Sequence, residues 1–302
     1  MKVLNQFVAA SAFGLFAVTG AQAVPIAADV IFVVDESGSM AGEHAWLSNM
    51  IVDLENGLTA AGVGTGAAQN NYALVGYGAY SGHGVAGHKH TVGGGDWGNA
   101  TEFGTATGGL IVSGGTEDGW EAIDFALNNY SFRNSGGADY ALNIILITDE
   151  DRDNIDASLN YAGMLNSLSA AGGVLNSVVN CSLYSGSGIG AVGVDSNANA
   201  YTADGAGGFN KSSGGYYNAG SCFGTTESDY VDLAWDTGGA AWDLNQLRAG
   251  GLTATSFTNA FVDVKVEEII IKTPEPGSLA LIGLGLLGMG FARKRSARKI
   301  AA

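Results

Sequence analysis

The chain has 302 residues, enough for one large domain or two small ones, and at 46% hydrophobic it can bury a sizeable core. Only 14% of residues are charged, and 48 glycines stand against three prolines with no Gly-X-Y period, which excludes a collagen helix and points to a compact body with long small-residue loops. The formal net charge is −16, yet Lys2, Arg293, Lys294, Arg295, Arg298 and Lys299 hold six of the 13 basic residues at the two ends, so all 29 acidic residues fall in a body that repels nucleic acid and attracts divalent cations.

Residues 1–23 open Met-Lys, run through an apolar stretch from Phe7 to Val18 and finish Ala21-Gln22-Ala23, the small-x-small pattern of a cleavage site. They predict a secretory signal peptide and passage through the Sec pathway. The body then alternates strand-like and helix-like segments. Asp29 to Val34 is a continuous apolar run, as expected of a parallel strand buried on both faces. Trp46, Met50, Ile51, Leu54 and Leu58 recur at helical spacing, and Tyr72 to Ala79 predicts a second strand. Residues 81–110, rich in Gly, His and Thr, read as loop with room for an edge hairpin. Trp120, Ile123, Ala126 and Leu127 mark a helix, Leu142 to Thr148 a buried strand, Ile155 to Ala171 a helix and Val174 to Asn180 a further strand.

A Gly/Ser/Asn-rich stretch over 182–225 shows neither period and predicts an inserted surface excursion. Its boundaries hold the two cysteines, Cys181 and Cys222, which in an oxidising compartment can pair; two free thiols are the alternative. Tyr230 to Trp235 predicts a helix stopped at Gly238-Gly239, Ala240 to Leu244 the last strand, and Phe257, Phe261 and Val264 a closing helix. Strands alternating with helices imply one α/β domain over 29–272, a doubly wound, Rossmann-like, mostly parallel central sheet with helices on both faces and insertions at about 81–110 and 182–225.

After Pro274-Glu275-Pro276 comes a nearly uncharged apolar stretch, 277–292, and then Arg293-Lys294-Arg295. Sixteen helical residues span about 24 Å, short for a ~30 Å hydrocarbon core but workable with snorkelling flanks, and the basic cluster would stay cytoplasmic. Triplet, short span and terminal basic cluster closely resemble the PEP-CTERM sorting signal of Gram-negative bacteria. That resemblance implies a membrane anchor in transit over 274–295, processing by an exosortase, and a destination at the cell surface or in the extracellular (biofilm) matrix.

The chemistry-bearing residues gather at strand ends. Asp35-Glu36-Ser37-Gly38-Ser39 follows the first strand and offers a carboxylate and two hydroxyls in a tight turn. In an open α/β sheet ligands bind at the carboxyl ends of strands, where Thr116, ahead of a helix, and Asp149, after a strand, add oxygen donors. Hard cations such as Mg²⁺ take such oxygens. Asp-x-Ser-x-Ser, the loop Thr and the later Asp together resemble the von Willebrand factor type A domain and its metal-ion-dependent adhesion site, MIDAS. The stretch from Tyr230 to Gly239 with Trp242-Asp243-Leu244 resembles that family's closing helix and strand.

By that resemblance Ser37, Ser39 and Thr116 would touch a metal, Mg²⁺ with Ca²⁺ or Mn²⁺ as alternatives, while Asp35 and Asp149 would hold it largely through water. One coordination position would stay open to an Asp or Glu of a protein or matrix partner. The sequence departs from the family where Glu150, Asp151 and Asp153 follow Asp149 and where Glu117 and Asp118 follow Thr116, which strengthens cation retention and weakens the pull on an acidic partner.

Other motifs read as plain structure. His83, His88 and His90 fit no helix face and lack a nearby carboxylate or Cys at ligand spacing, so they are expected to be exposed loop histidines rather than a zinc site. Asp195-Ser196-Asn197-Ala198-Asn199 lacks the Gly and Glu of an EF-hand and reads as a polar turn. Gly62-Val63-Gly64-Thr65-Gly66 follows a helix and lacks a Lys, so it reads as a turn. No catalytic nucleophile is evident. A non-enzymatic, exported adhesion module is the reading; a metal-assisted hydrolase of matrix polysaccharide, with Glu36 or Glu150 activating water, and a purely structural matrix component are the alternatives.

Overall fold

A computed structural model of the chain describes residues 27–133 and 139–271. The signal peptide predicted over 1–23 and the apolar segment predicted over 277–292 lie outside the described residues. Among the described residues no helix is long and apolar enough to cross a membrane.

The first strand, β1 (Ala27–Asp35), is buried along its whole length. Its alternate residues explain the continuous apolar run: Ala28, Val30, Phe32 and Val34 enter one core, Ile31 and Val33 the other. It is followed by α1 (Ala41–Ala60), β2 (Asn71–Tyr77), β3 (His88–His90), α2 (Ala100–Ala106), α3 (Gly119–Asn129), β4 (Tyr140–Thr148), α4 (Tyr161–Ala170) and β5 (Gly173–Val179). Six short strands come next: β6 (Cys181–Tyr184), β7 (Gly190–Ala191), β8 (Gly193–Asp195), β9 (Asn199–Ala203), β10 (Phe209–Ser213) and β11 (Tyr216–Cys222). A π-helical turn, Glu227–Val231, leads into α5 (Asp232–Asp236), then β12 (Ala240–Asp243), α6 (Leu244–Arg248) and α7 (Gly251–Ile271).

The main sheet has nine strands in the order β10-β9-β8-β12-β5-β4-β1-β2-β3. The five from β12 to β2 are parallel, and antiparallel strands extend both edges. One core packs α1, α2, α6 and α7 against one face through residues such as Leu47, Phe103, Leu247, Phe257 and Phe261. The other packs α3, α4 and α5 through Trp120, Ile123, Met164, Leu168 and Leu233. This is the mostly parallel, doubly wound α/β architecture that the alternating segments imply.

Three stretches depart from the sequence reading. Residues 81–110 hold the edge strand β3 and the helix α2, whose entry is fixed by Asn99 accepting from the Glu102 N–H while Glu102 reaches back to the Asn99 N–H, a capping box. Helix α4 begins at Tyr161 rather than Ile155. Asn160 caps it by accepting from the Gly163 N–H, and the preceding turn is held by Asp118 at Ile155 N and by Asp156 at Ser158. The stretch 182–225 is ordered rather than an irregular excursion: β8, β9 and β10 lengthen the main sheet, and β11, β6 and β7 form a second one. A Cys181–Cys222 disulfide joins β6 to β11.

Candidate metal centre

Chain order reverses in the sheet between β1 and β4, because β1 is followed by β2 on one side while β4 pairs on the other. The carboxyl ends of β1 and β4 therefore open the crevice in which such sheets bind ligands. Asp35 closes β1, and beside it Thr148 closes β4 and donates its hydroxyl to Asp35 Oδ2 at 3.0 Å. Asp35 Oδ1 accepts from the Ser37 N–H at 2.7 Å, which curls the chain back over the strand end. Ser37 Oγ lies 3.2 Å from Ser39 Oγ, and Ser39 Oγ donates to Asp149 Oδ1 at 2.9 Å. Asp35, Ser37, Ser39 and Asp149 thus form one chain of contacts.

Thr116 stands in the neighbouring loop, but its hydroxyl meets the Tyr80 hydroxyl at 3.0 Å. It is Glu117 that turns inward: carboxylate oxygens of Asp35, Glu117 and Asp149 lie within 4.8 Å of one another, and all three residues are buried. The Thr116 loop is pinned by the Gly38 N–H on Gly114 O at 3.3 Å, the Tyr80 N–H on Ser113 O at 2.9 Å, and a reciprocal pair between Glu117 and Asp153. Gly114 has φ of +139°, and a Cβ there would fall 2.0 Å from Gly78 O, so only glycine lets the two loops close up.

Burial raises the Asp35 carboxyl above the usual range against hydrogen bonds from Glu117, Ser37 and Thr148. Burial, the close approach of the Asp35 carboxyl and the charges of Asp35 and Asp149 push Glu117 up as well. The group is short of positive charge, and Glu117 Oε2 is buried without a hydrogen-bond partner among the described residues. Arg248 of α6 reaches its rim, donating to Asp149 Oδ2 at 2.9 Å and Ser39 O at 3.1 Å while pairing with the buried Glu43. Three crowded carboxylates with serine hydroxyls are a donor set that fits a hard divalent cation.

The histidines correct the sequence reading. His83 is an exposed loop residue as expected, but His88 and His90 lie half-buried on β3, and His83 Nδ1, His88 Nε2 and His90 Nε2 stand 2.9, 2.8 and 3.4 Å from the carboxylate of Glu36, which is completely buried. Burial alone would raise Glu36, but the imidazoles of His88, His90 and His83 with the Ile111 N–H hold it well below the usual carboxylate range. Burial opposes the charge on His88, yet Glu36 and the Ala86 carbonyl raise its pKa overall. Glu36 sits between Asp35 and Ser37, with its N–H on Tyr77 O and its carbonyl on the Ser113 N–H.

Glu117, Arg248 and the Glu36–histidine group are the parts of this region that sequence reasoning missed. Glu117 was visible only as an extra negative charge beside Thr116. Nothing in the sequence places Arg248 against Asp149.

Residues 272–295 match the profile of the PEP-CTERM protein-sorting motif. No curated protein matches the chain. Among solved structures, proximal thread matrix protein 1 from the mussel byssus is similar at 17% identity with a TM-score of 0.38. The same protein with a zinc-occupied MIDAS motif is similar at 16% with a TM-score of 0.39. Each match covers 52% of this chain and 36% of the other, so the chain spans about a third of those structures. At these scores the fold assignment rests on strand order and register, not on the superpositions. The C-terminal match stands on its own: the chain carries a PEP-CTERM sorting motif, which implies export toward the surface of a Gram-negative cell and processing by an exosortase.

Proposed function

We propose that the protein is a surface or matrix binding module of the von Willebrand factor A kind, which engages its partner through a MIDAS-type divalent-cation site. The observation that carries this reading is the meeting of three buried carboxylates, Asp35, Glu117 and Asp149, with Ser37 and Ser39 at the sheet's switch point. In this reading Asp35, Ser37, Ser39 and Asp149 hold the cation, Thr116 joins them once its hydroxyl leaves Tyr80, and the oxygen-only donor set favours Mg²⁺, with Ca²⁺ or Mn²⁺ as substitutes. A bound cation supplies positive charge and an open coordination position to a partner's Asp or Glu.

The chain's own residues set how that opening is presented. Ser39 is exposed and Thr116 half-buried, so the solvent side of the site is lined by hydroxyls while the carboxylates lie beneath. Glu117 adds inward negative charge, which tightens hold on a cation and lowers the net charge offered to an acidic partner. The hydrolytic alternative is disfavoured because Glu36, one of its two candidates for activating water, is taken up by three imidazoles and the Ile111 N–H.

Titration calorimetry with Mg²⁺, followed by capture from extracellular matrix material with Mg²⁺ or with chelator, tests the proposal. The native chain is expected to bind Mg²⁺ and retain a partner only when it is present. Asp149→Ala is expected to lose both, with far-UV circular dichroism unchanged. Partner retention that persists in chelator, or in Asp149→Ala, would contradict it.

A further inference from the structure

The chain holds a second group of metal-binding side chains whose chemistry differs from that of the first. Glu36 comes from the turn after β1, His83 from the connection between β2 and β3, and His88 and His90 from β3, where residues two apart point to the same side of the strand. Ligand atoms from all four lie within 4.8 Å of one another. Ring centroids of the three histidines are 5.0, 5.0 and 5.2 Å apart, so the imidazoles stand at near-equal spacing around one centre.

Two of the nitrogens are unsatisfied. His88 Nε2 and His90 Nε2 are buried without a hydrogen-bond partner among the described residues, although each is close to Glu36, because neither meets its oxygens in hydrogen-bonding direction. The His90 side chain is only 9% exposed. At His88 the opposite nitrogen, Nδ1, lies 3.0 Å from the Ala86 carbonyl, an acceptor only, so Nδ1 donates there and Nε2 is left to face the cluster.

Gly76 of β2 is opposite His88 in the register, and a Cβ there would fall 2.5 Å from Glu36 Oε2, 2.6 Å from His90 Nε2 and 2.7 Å from His88 Nε2. The absent side chain is what lets these three atoms converge.

We propose that Glu36, His83, His88 and His90 bind a zinc ion in a closed four-ligand site, separate from the cluster of Asp35, Glu117 and Asp149. Three imidazoles and one carboxylate suit Zn²⁺ and are a poor set for Mg²⁺ or Ca²⁺. A tetrahedron with bonds of about 2.0–2.1 Å has edges of about 3.3 Å. The observed N···O separations of 2.8, 2.9 and 3.4 Å bracket that length. With four protein ligands the site has no vacant position, so its role is structural. It ties the three-residue edge strand β3 and the loop before it to the residue between Asp35 and Ser37, bracing the backbone that presents both.

The test uses the full-length chain without a histidine tag, stripped with chelator and reloaded with Zn²⁺ or, as a spectroscopic stand-in, Co²⁺. The native chain and Asp149→Asn are expected to retain about one zinc equivalent and give the intense visible bands of four-coordinate Co²⁺, while His88→Ala with His90→Ala falls to about a tenth of an equivalent. Retention in Asp149→Asn separates this site from a zinc ion held by the carboxylate cluster. X-ray absorption on the zinc-loaded native chain reads the ligands without any variant and is expected to show imidazole scattering. Zinc retained in the double histidine variant, octahedral Co²⁺ spectra in the native chain, or absorption lacking imidazole scattering would each overturn the proposal.

Discussion

A carboxylate removed from water is tolerated when it meets a cationic side chain, a metal ion, a proton or a set of N–H donors. Asp29 meets Arg133 and Asp118 meets Arg152 in two-point contacts. Glu36 meets three imidazoles, and Asp149 shares Arg248 with Glu43. Asp243 has none of these charges. It caps α6 by accepting from the Asn245 N–H, and burial, opposed by hydrogen bonds from Asn245 and Gln246, pushes its pKa up to about 6. A carboxyl raised on folding favours the native state below its unfolded pKa near 3.8 and loses that contribution as pH rises through about 6. Asp243→Asn keeps an acceptor for the cap without the charge. It is expected to be more stable than the native chain at pH 7, on the order of 1–3 kcal/mol, with the gap closing by pH 4. Denaturant unfolding at the two pH values measures it; equal stability at pH 7 would show that the charge is tolerated at no cost.

The same scale explains which site residues were readable. Asp35, Ser37 and Ser39 are adjacent in sequence and follow an apolar strand, so their grouping is visible before folding. The histidines lay hidden because His88 and His90 align at strand spacing, not helical spacing, and their carboxylate is 47 residues before His83. Glu117 escaped because nothing local decides whether it or Thr116 faces the crevice. The Tyr80 hydroxyl, which takes up Thr116, arrives from another loop.

Among elements, legibility follows side-chain size. Strands β1, β4 and β5 are buried on both faces and announce themselves as runs of Val, Ile and Leu. Strands β8 and β9 are also buried in large part, but they hold no run of large apolar residues. A Cβ on Gly193 would lie 2.4 Å from the Trp242 ring, and Tyr201 stacks on the same ring at 6.0 Å. Glycine is required there by a tryptophan far along the chain, so no local period marks the strand. Helix α2 carries only Ala100 and Phe103 inward, too few to show periodicity, and its start is set instead by the capping box of Asn99 and Glu102.

The second sheet depends on its cross-link. Its strands are short, β11 is mostly exposed, and the Cys181–Cys222 disulfide closes the long excursion between them. Replacing both cysteines by serine is expected to lower unfolding free energy by about 2–4 kcal/mol through the released loop entropy. Urea denaturation reads the loss, and an unchanged midpoint would show that β6–β11 pairing holds the excursion alone.

For the whole molecule, charge and topology act together. A net charge of −16 draws divalent cations toward the surface, and the switch point between β1 and β4 gathers three buried carboxylates, Asp35, Glu117 and Asp149, in one place. The switch point lies in the central parallel strands, while the additions to the fold extend the two edges and leave those strand ends free. Export toward an oxidising, cation-containing exterior suits both the disulfide and a metal-dependent contact. The most direct measurement is anomalous diffraction from crystals of the protein grown with Mn²⁺. The account predicts a strong peak at the ends of β1 and β4, among Asp35, Ser37, Ser39 and Asp149. Crystals with no Mn²⁺ there, and with Arg248 still on Asp149, would contradict it.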